Sequence, residues 1–348
     1  MTGVRLGGKI EMMWDCRAHK IPSVDGGFIE GEYIKPIEEK PKATVLLIHG
    51  SGPSDRHATV TAMGKVLSKN FDVLSESLLE QGYAVFRFDK KESYDIPVII
   101  AHAKYVVSYV CSLSEVDSLY LYGWSEGVRV IAEILKDIKE SEHASILKGA
   151  IMQSGIANGW SPYFSYILKE LMLEKLKELD TNQDGILEVS DFEGFIPDAT
   201  SVTFATCLMI LDSNGGKIQF SKNLDKERKG QFHIEKDWMP LAEEIVKDPT
   251  TLIRFAENAP NETWNGILEE IHNAKIPMLV LHGMNDGWIS PVEAVQIAKA
   301  GRNYADICLF KGLGHSLAKA DSPLKDEGGV MEEEPVQKII EWLDKQKK

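Results

Sequence analysis

The segment Leu121-Tyr122-Gly123-Trp124-Ser125-Glu126-Gly127 constrains the fold of this chain more than any other. A strand-like run at 118–122 enters it and a helix-like run at 128–137 leaves it. A strand that passes through Gly-x-Ser-x-Gly into a helix must turn sharply, and the turn forces Ser125 into a strained backbone geometry. Gly123 and Gly127 leave room for it, because a side chain at either position would crowd the neighbouring strand or helix.

The rest of the chain repeats this alternation. Short apolar or β-branched runs lie at 43–48, 83–88, 119–122, 150–153, 277–281 and 307–310, and helical patterns at 60–80, 96–112, 127–139, 291–300 and 334–345 separate most of them. Strand then helix, repeated, predicts a doubly wound, mostly parallel sheet with helices on both faces. Residues 28–35 alternate and add an antiparallel strand near the start. One interval breaks the rhythm: about 120 residues between the strands near Ile151 and Met278 carry little strand signal, too many for a structureless connection. They are read as an inserted helical cap at 157–273. The core is then 1–156 with 274–348, and 348 residues suffice for one large core or two modest ones.

Charge and cysteine usage exclude several classes. The net charge of -14 repels nucleic-acid phosphates and anionic lipid, so no nucleic acid and no membrane is expected as partner. The four cysteines are far apart in sequence and form no C-x-x-C pair, as for free thiols in a reducing compartment. Residues 1–20 hold no continuous apolar stretch of the signal-peptide kind, and no run approaches the ~20 residues that span a bilayer. A cytoplasmic location is expected.

Two further polar residues follow strand ends, where open α/β sheets place their chemistry. Asp286 lies in His282-Gly283-Met284-Asn285-Asp286-Gly287, and His315 in the Gly-rich loop Gly312-Leu313-Gly314-His315-Ser316. With Ser125 they make a candidate triad. His315 would take the hydroxyl proton, and Asp286 would fix the imidazole tautomer and stabilise its charged form. The loop His49-Gly50-Ser51-Gly52-Pro53-Ser54-Asp55-Arg56 supplies a fourth piece. A tetrahedral intermediate needs two N–H groups aimed at its oxyanion, and Glu126, after the nucleophile, and Ser51 are the candidates.

Together these residues resemble the α/β-hydrolase superfamily, whose chain order is Ser…Asp…His. The His-Gly-Ser-Gly-Pro-x-Asp-Arg stretch resembles a bacterial carboxylesterase group related to the prolyl-oligopeptidase catalytic domain. The resemblance covers about 28–156 and 274–345 and implies ester, thioester or amide hydrolysis through an acyl-enzyme. One departure concerns the loop after the fourth strand. Relatives carry Asp-Lys-Arg-Gly and a longer loop, whereas Asp89-Lys90-Lys91-Glu92-Ser93 is short. No oligopeptidase-type propeller gate is expected.

The insert contains a different motif. Asp180-Thr181-Asn182-Gln183-Asp184-Gly185-Ile186-Leu187-Glu188-Val189-Ser190-Asp191 fits the twelve-residue EF-hand calcium loop. Asp180, Asn182, Asp184, the Ile186 carbonyl, Glu188 through water and Asp191 are the candidate ligands, and Leu168, Leu171, Met172, Leu176 and Leu179 give the entering helix an apolar face. Asp191 in place of Glu at the twelfth position weakens calcium and favours magnesium as the alternative. A second, degenerate loop is read at 212–220, giving an EF-hand-like pair over 165–226. Trp238, Met239 and Trp264 serve either as cap core or as the lining of an acyl channel.

The expected function is hydrolysis of a small-molecule ester or thioester, with carboxylesterase first and acyl thioesterase or short-peptide hydrolase as alternatives. A different class, a calcium-responsive binding protein on a hydrolase scaffold, would not need an intact triad. Oligomeric state has no signal in the sequence.

Overall fold

A computed structural model describes the chain apart from residues 1–2, 7–8, 13, 24–25, 38, 63, 91–94, 139–140, 142, 215–216, 258–261 and 347–348. Its centre is an eight-stranded sheet built from β1 (Trp14–Pro22), β2 (Phe28–Pro36), β3 (Thr44–Ile48), β4 (Ala84–Phe88), β5 (Leu119–Trp124), β6 (Leu147–Gln153), β7 (Met278–Gly283) and β8 (Ala305–Phe310), in the order β8-β7-β6-β5-β3-β4-β2-β1. Strands β3 to β8 pair in parallel, and β2 and β1 are added antiparallel at one edge. Every residue of β3 and β4 is buried. Strands covered on both faces read as unbroken apolar runs, which is why these were legible.

Helices α1 (Asn70–Glu80), α2 (Ile96–Ser112), α3 (Glu126–Ile138), α4 (Leu268–Ala274), α5 (Pro291–Gly301) and α6 (Glu333–Lys345) flank the sheet. Alternate strand residues divide between its faces. Leu46, Phe86, Leu121 and Met152 pack in one core with side chains of α2 to α5. Val45, Leu47, Val85 and Tyr122 pack in another with those of α1 and α6. A third apolar cluster, centred on Trp238, Phe192, Phe220 and Phe232, draws on residues between Tyr166 and Leu252.

In the outer layer one expectation fails and one element was not anticipated. The helical pattern at 60–80 is a helix only from Asn70. Before it Thr59–Ala62 and Lys65–Lys69 form an antiparallel hairpin. Thr59, Val60, Thr61 and Val66 are β-branched, and Gly64 takes φ 73 at the bend, so local preference favours strands. Strand β1 is the second surprise. Much of it is solvent-exposed, and its mixed Asp, Arg, His and Lys content hides the alternation.

The second loop of the insert is also corrected. Residues 212–220 form a hairpin, with Leu211–Asn214 paired antiparallel to Lys217–Phe220, and Gly215 and Gly216 lie outside the described residues. The strand that pairs with the 180–191 loop is Gln231–His233, where Leu187 faces Phe232. The two paired loops match each other. Asp180 accepts the N–H of Asp184 at 3.2 Å and of Gly185 at 2.9 Å, and Asp225 accepts those of Lys229 at 2.9 Å and Gly230 at 2.7 Å. Gly185 and Gly230 share the left-handed conformation, at φ 77 and 75. The strand that pairs with the 180–191 loop thus lies past residue 226. Lys229 and Lys236 occupy the fifth and twelfth positions of the second loop, where carboxylates would be needed, so this loop is unsuited to a cation.

Candidate active site

The turn between β5 and α3 has the anticipated strain. Ser125 has φ 57, and its N–H donates to the Gln153 carbonyl at 2.8 Å, which ties the turn to β6. The two glycines are sterically required. A Cβ on Gly123 would lie 2.6 Å from the Gly127 carbonyl oxygen, and one on Gly127 would lie 2.5 Å from that of Ile48.

Asp286 and His315 come from the loops after β7 and β8. His315 Nδ1 lies 2.9 Å from Asp286 Oδ2, and the other oxygen of Asp286 accepts the N–H groups of Trp288 and Ile289, each at 2.8 Å. His282 Nε2 lies 3.1 Å from Asp286 Oδ2 and 2.9 Å from the Ile289 carbonyl. Burial alone would raise the Asp286 carboxyl, but His315 and the hydrogen bond with His282 hold it well below the usual carboxylate range. His315 shows the converse balance. Burial pushes its imidazole down, but the Asp286 charge, their hydrogen bond and the Asp326 charge leave it above its ordinary 6.5.

Two cavities border these residues. One, of about 690 Å³, is lined by Gly50, Ser51, Trp124, Ser125, Glu126 and His315 among others. The second, of about 710 Å³, is walled by Phe164, Ile167, Leu168, Leu208, Met209 and Leu252, all from the insert. Ser51, Glu126, Trp160, Tyr163 and Trp288 border both. Tyr166 of the insert donates its hydroxyl to the Asp286 carbonyl at 2.7 Å, and Ser201 bonds the Gly287 carbonyl, which fastens the insert to the loop carrying Asp286. Of Trp238, Met239 and Trp264, it is Trp264 that lines the cavity holding Ser125. Trp238 is buried in the third apolar cluster, its indole donating to the Leu168 carbonyl at 3.1 Å, and Met239 packs on the same cluster.

Sequence reasoning missed Lys90. Its buried ammonium donates to the Gly50 carbonyl and to the Glu126 carboxylate, each at 2.6 Å. Gly50 C=O and Ser51 N–H belong to one trans peptide unit and point in opposite directions. By holding the carbonyl, Lys90 aims the Ser51 N–H away from itself, and through Glu126 it also ties down the start of α3. Asp89, beside it, pairs with Arg56 at 2.5 Å, while Lys91, Glu92 and Ser93 lie outside the described residues. Lone basic and acidic residues in loops form no motif, so only burial and partners reveal them.

In the 180–191 loop the carboxylates serve the loop itself. Asp184 accepts from Ile186 N–H at 2.8 Å, Asn182 donates to Asp184 at 3.1 Å, and Asp191 caps the Glu188 N–H at 2.7 Å. Among the described residues no group of three or more His, Cys, Asp or Glu side chains is gathered to hold a metal. Gly185 takes φ 77 at the sixth position of the loop, and the carboxylates as arranged are not gathered around one point.

No protein-family model matches the chain, and no curated protein matches it. Solved structures do. An esterase from Pyrococcus furiosus superposes with a TM-score of 0.52 at 14% identity, over 96% of this chain and 91% of that one. An esterase from Exiguobacterium antarcticum gives 0.51 at 14% identity, over 94% and 100%. A proline iminopeptidase from Mycobacterium smegmatis gives 0.52 at 12% identity, over 95% and 98%. At such identity the likeness is one of fold: the chain has the α/β-hydrolase fold.

Proposed function

We propose that the protein is a serine hydrolase that cleaves carboxylic esters through an acyl-enzyme. The observation that carries this reading is Ser125 at φ 57 on a strand-to-helix turn, lining one cavity with a His315 whose Nδ1 is bound to buried Asp286. Ser125 Oγ attacks the ester carbonyl while His315 Nε2 takes its proton. The N–H groups of Ser51 and Glu126 receive the developing oxyanion. Collapse expels the alcohol, protonated by His315, and water then releases the acid by the same steps in reverse roles. The apolar cavity walled by the insert suits an acyl chain, and the esterases among the structural neighbours agree in fold.

Labelling by a fluorophosphonate probe tests the nucleophile. The parent should be labelled and Ser125→Ala should not, with ester hydrolysis falling by several orders of magnitude, ~10³-fold or more. Labelling that survives the substitution refutes the assignment.

For the insert we propose calcium, with magnesium as alternative, at Asp180, Asn182, Asp184, the Ile186 carbonyl, Glu188 and Asp191. Ligand spacing and the loop backbone support it. The ion has no part in the ester chemistry. A cytoplasmic location is proposed on the four cysteines, all of them free thiols.

A further inference from the structure

Arg129 follows Ser125 by four residues, in the first turns of α3, and is 7% exposed. It lines the cavity that also contains Ser125 and His315. Its guanidinium lies 4.2 Å from the Trp264 ring centroid and 5.7 Å from that of Trp160, beside two indoles whose own centroids are 4.9 Å apart. Its Nη2 donates to Glu262 at 2.5 Å. Nε and Nη1, which carry three N–H donors between them, are buried and have no partner among the described residues. The Trp160 indole Nε1, on the border of both cavities, is also buried without a partner among the described residues.

Buried donors without acceptors are costly, and those of a cation more so. A natural chain rarely leaves several together unless something else satisfies them. Glu262 neutralises Arg129 incompletely, because its side chain is 38% exposed and water screens it. The unsatisfied groups are all donors, one belongs to a full positive charge, and the residues that carry them line the cavity that holds Ser125. A carboxylate is the acceptor that answers all three features. It is planar, singly charged, and accepts from a guanidinium in charge-assisted hydrogen bonds. A dianionic phosphate fits less well, since Arg129 already shares its charge with Glu262.

We propose that Arg129, packed beside Trp160 and Trp264 and oriented by Glu262, is a specificity site for a carboxylate on the substrate, so that the enzyme prefers esters bearing a free acid. The proposal rests on the ester-hydrolase reading for its reaction, but not for its binding.

Two matched ester pairs test it. Mono-(4-nitrophenyl) succinate against 4-nitrophenyl butyrate places the carboxylate on the acyl side. 4-Acetoxybenzoate against phenyl acetate places it on the alcohol side. In at least one pair, Arg129→Gln should lower the charged-to-neutral ratio of kcat/KM by about tenfold or more, the usual scale for a lost hydrogen bond to a charged group. Arg129→Lys, which keeps the charge, should recover part of it. A smaller fall in both pairs overturns the proposal.

A second measurement stands apart from turnover. In Ser125→Ala, calorimetry should show 4-phenylbutyrate binding more tightly than 4-phenylbutyramide, with the preference lost on adding Arg129→Gln and reduced but partly kept on adding Arg129→Lys. Equal affinities for acid and amide overturn the proposal even if esters are hydrolysed. If no ester is hydrolysed but the acid preference holds, the esterase reading fails and the carboxylate site stands. Thermal melting identifies a variant that has not folded, and the Lys variant then carries the comparison.

Discussion

The Asp326 carboxylate accepts the backbone N–H of His315 at 2.7 Å. The same oxygen accepts the N–H of Gly287, beside Asp286, at 2.9 Å. One buried side chain therefore fixes the loops that carry both the candidate base and its acidic partner. Gly314 makes room for it, since a Cβ there would lie 2.1 Å from Asp326 Oδ1. Burial and the Asp286 charge hold the Asp326 carboxyl above its ordinary value, against the pull of the two N–H groups.

The pH profile follows from His315. Its folded pKa is raised above 6.5, so the base becomes neutral, and activity appears, over a limb centred above pH 6.5. The linked stability runs the other way. The His315–Asp286 attraction is fully present below the unfolded value and is lost as pH rises through the folded one. Initial rates under kcat/KM conditions, paired with melting curves, should show activity rising where this contribution fades. A limb centred below pH 6.5, with chemistry limiting the rate, would count against His315 as the base.

Asp326→Asn separates positioning from charge. Asn keeps one carbonyl acceptor for the two N–H groups but removes a charge that raises His315. The activity limb should move toward lower pH, and kcat should fall on the order of tenfold, because a neutral amide oxygen holds the two N–H groups less strongly than a carboxylate. A loss of rate with no movement of the limb would assign Asp326 to packing alone.

Lys90→Met should lower kcat more than it raises KM. The ammonium reaches no reacting atom; it aims the Ser51 N–H and steadies Glu126. Removing a whole oxyanion donor costs about 10²–10³ in kcat, so misdirecting one should cost up to roughly a hundredfold. Glu126 would be left buried without its counter-charge, so melting should also fall. A variant with parental kcat would show that Lys90 serves stability only.

Legibility in the sequence tracked burial and local chemistry. Strands β3 and β4 are buried at every residue and read as apolar runs. Helix α2 begins and ends where its pattern does, with Pro97 suited to its first turn. Ser125, Asp286 and His315 were legible because each sits in a Gly-rich turn after a strand. Exposed β1 and the 59–69 hairpin were not, since edge strands mix charged and apolar residues. The 212–220 segment misled because Asp212-Ser213-Asn214-Gly215-Gly216 has the composition of a metal loop and also that of a tight hairpin turn. Lys90, Arg129 and Asp326 were invisible, because their partners lie 36, 133 and 11 residues away or more closely packed in space than in sequence.

The final prediction concerns the insert. If calcium binds the folded 180–191 loop and not the unfolded chain, it should raise stability by RT ln(1+[L]/Kd), about 2.7 kcal/mol at a hundredfold excess over Kd. The choice of variant matters. Asp180 accepts two backbone N–H groups and Asp184 a third, so alanine at either would weaken the loop without any ion. Asn keeps an acceptor and removes the charge. The double variant Asp180→Asn with Asp184→Asn should melt near the parent in EDTA and lose the parent's response to calcium. Lys229 and Lys236 already place cations in the paired loop, so only one site should titrate. Because the ion lies in the insert, EDTA should change melting and KM before kcat. Melting curves in EDTA, calcium and magnesium decide the matter: if neither ion shifts the parent, or the double variant responds as the parent does, the loop binds no metal and its carboxylates serve only the turn.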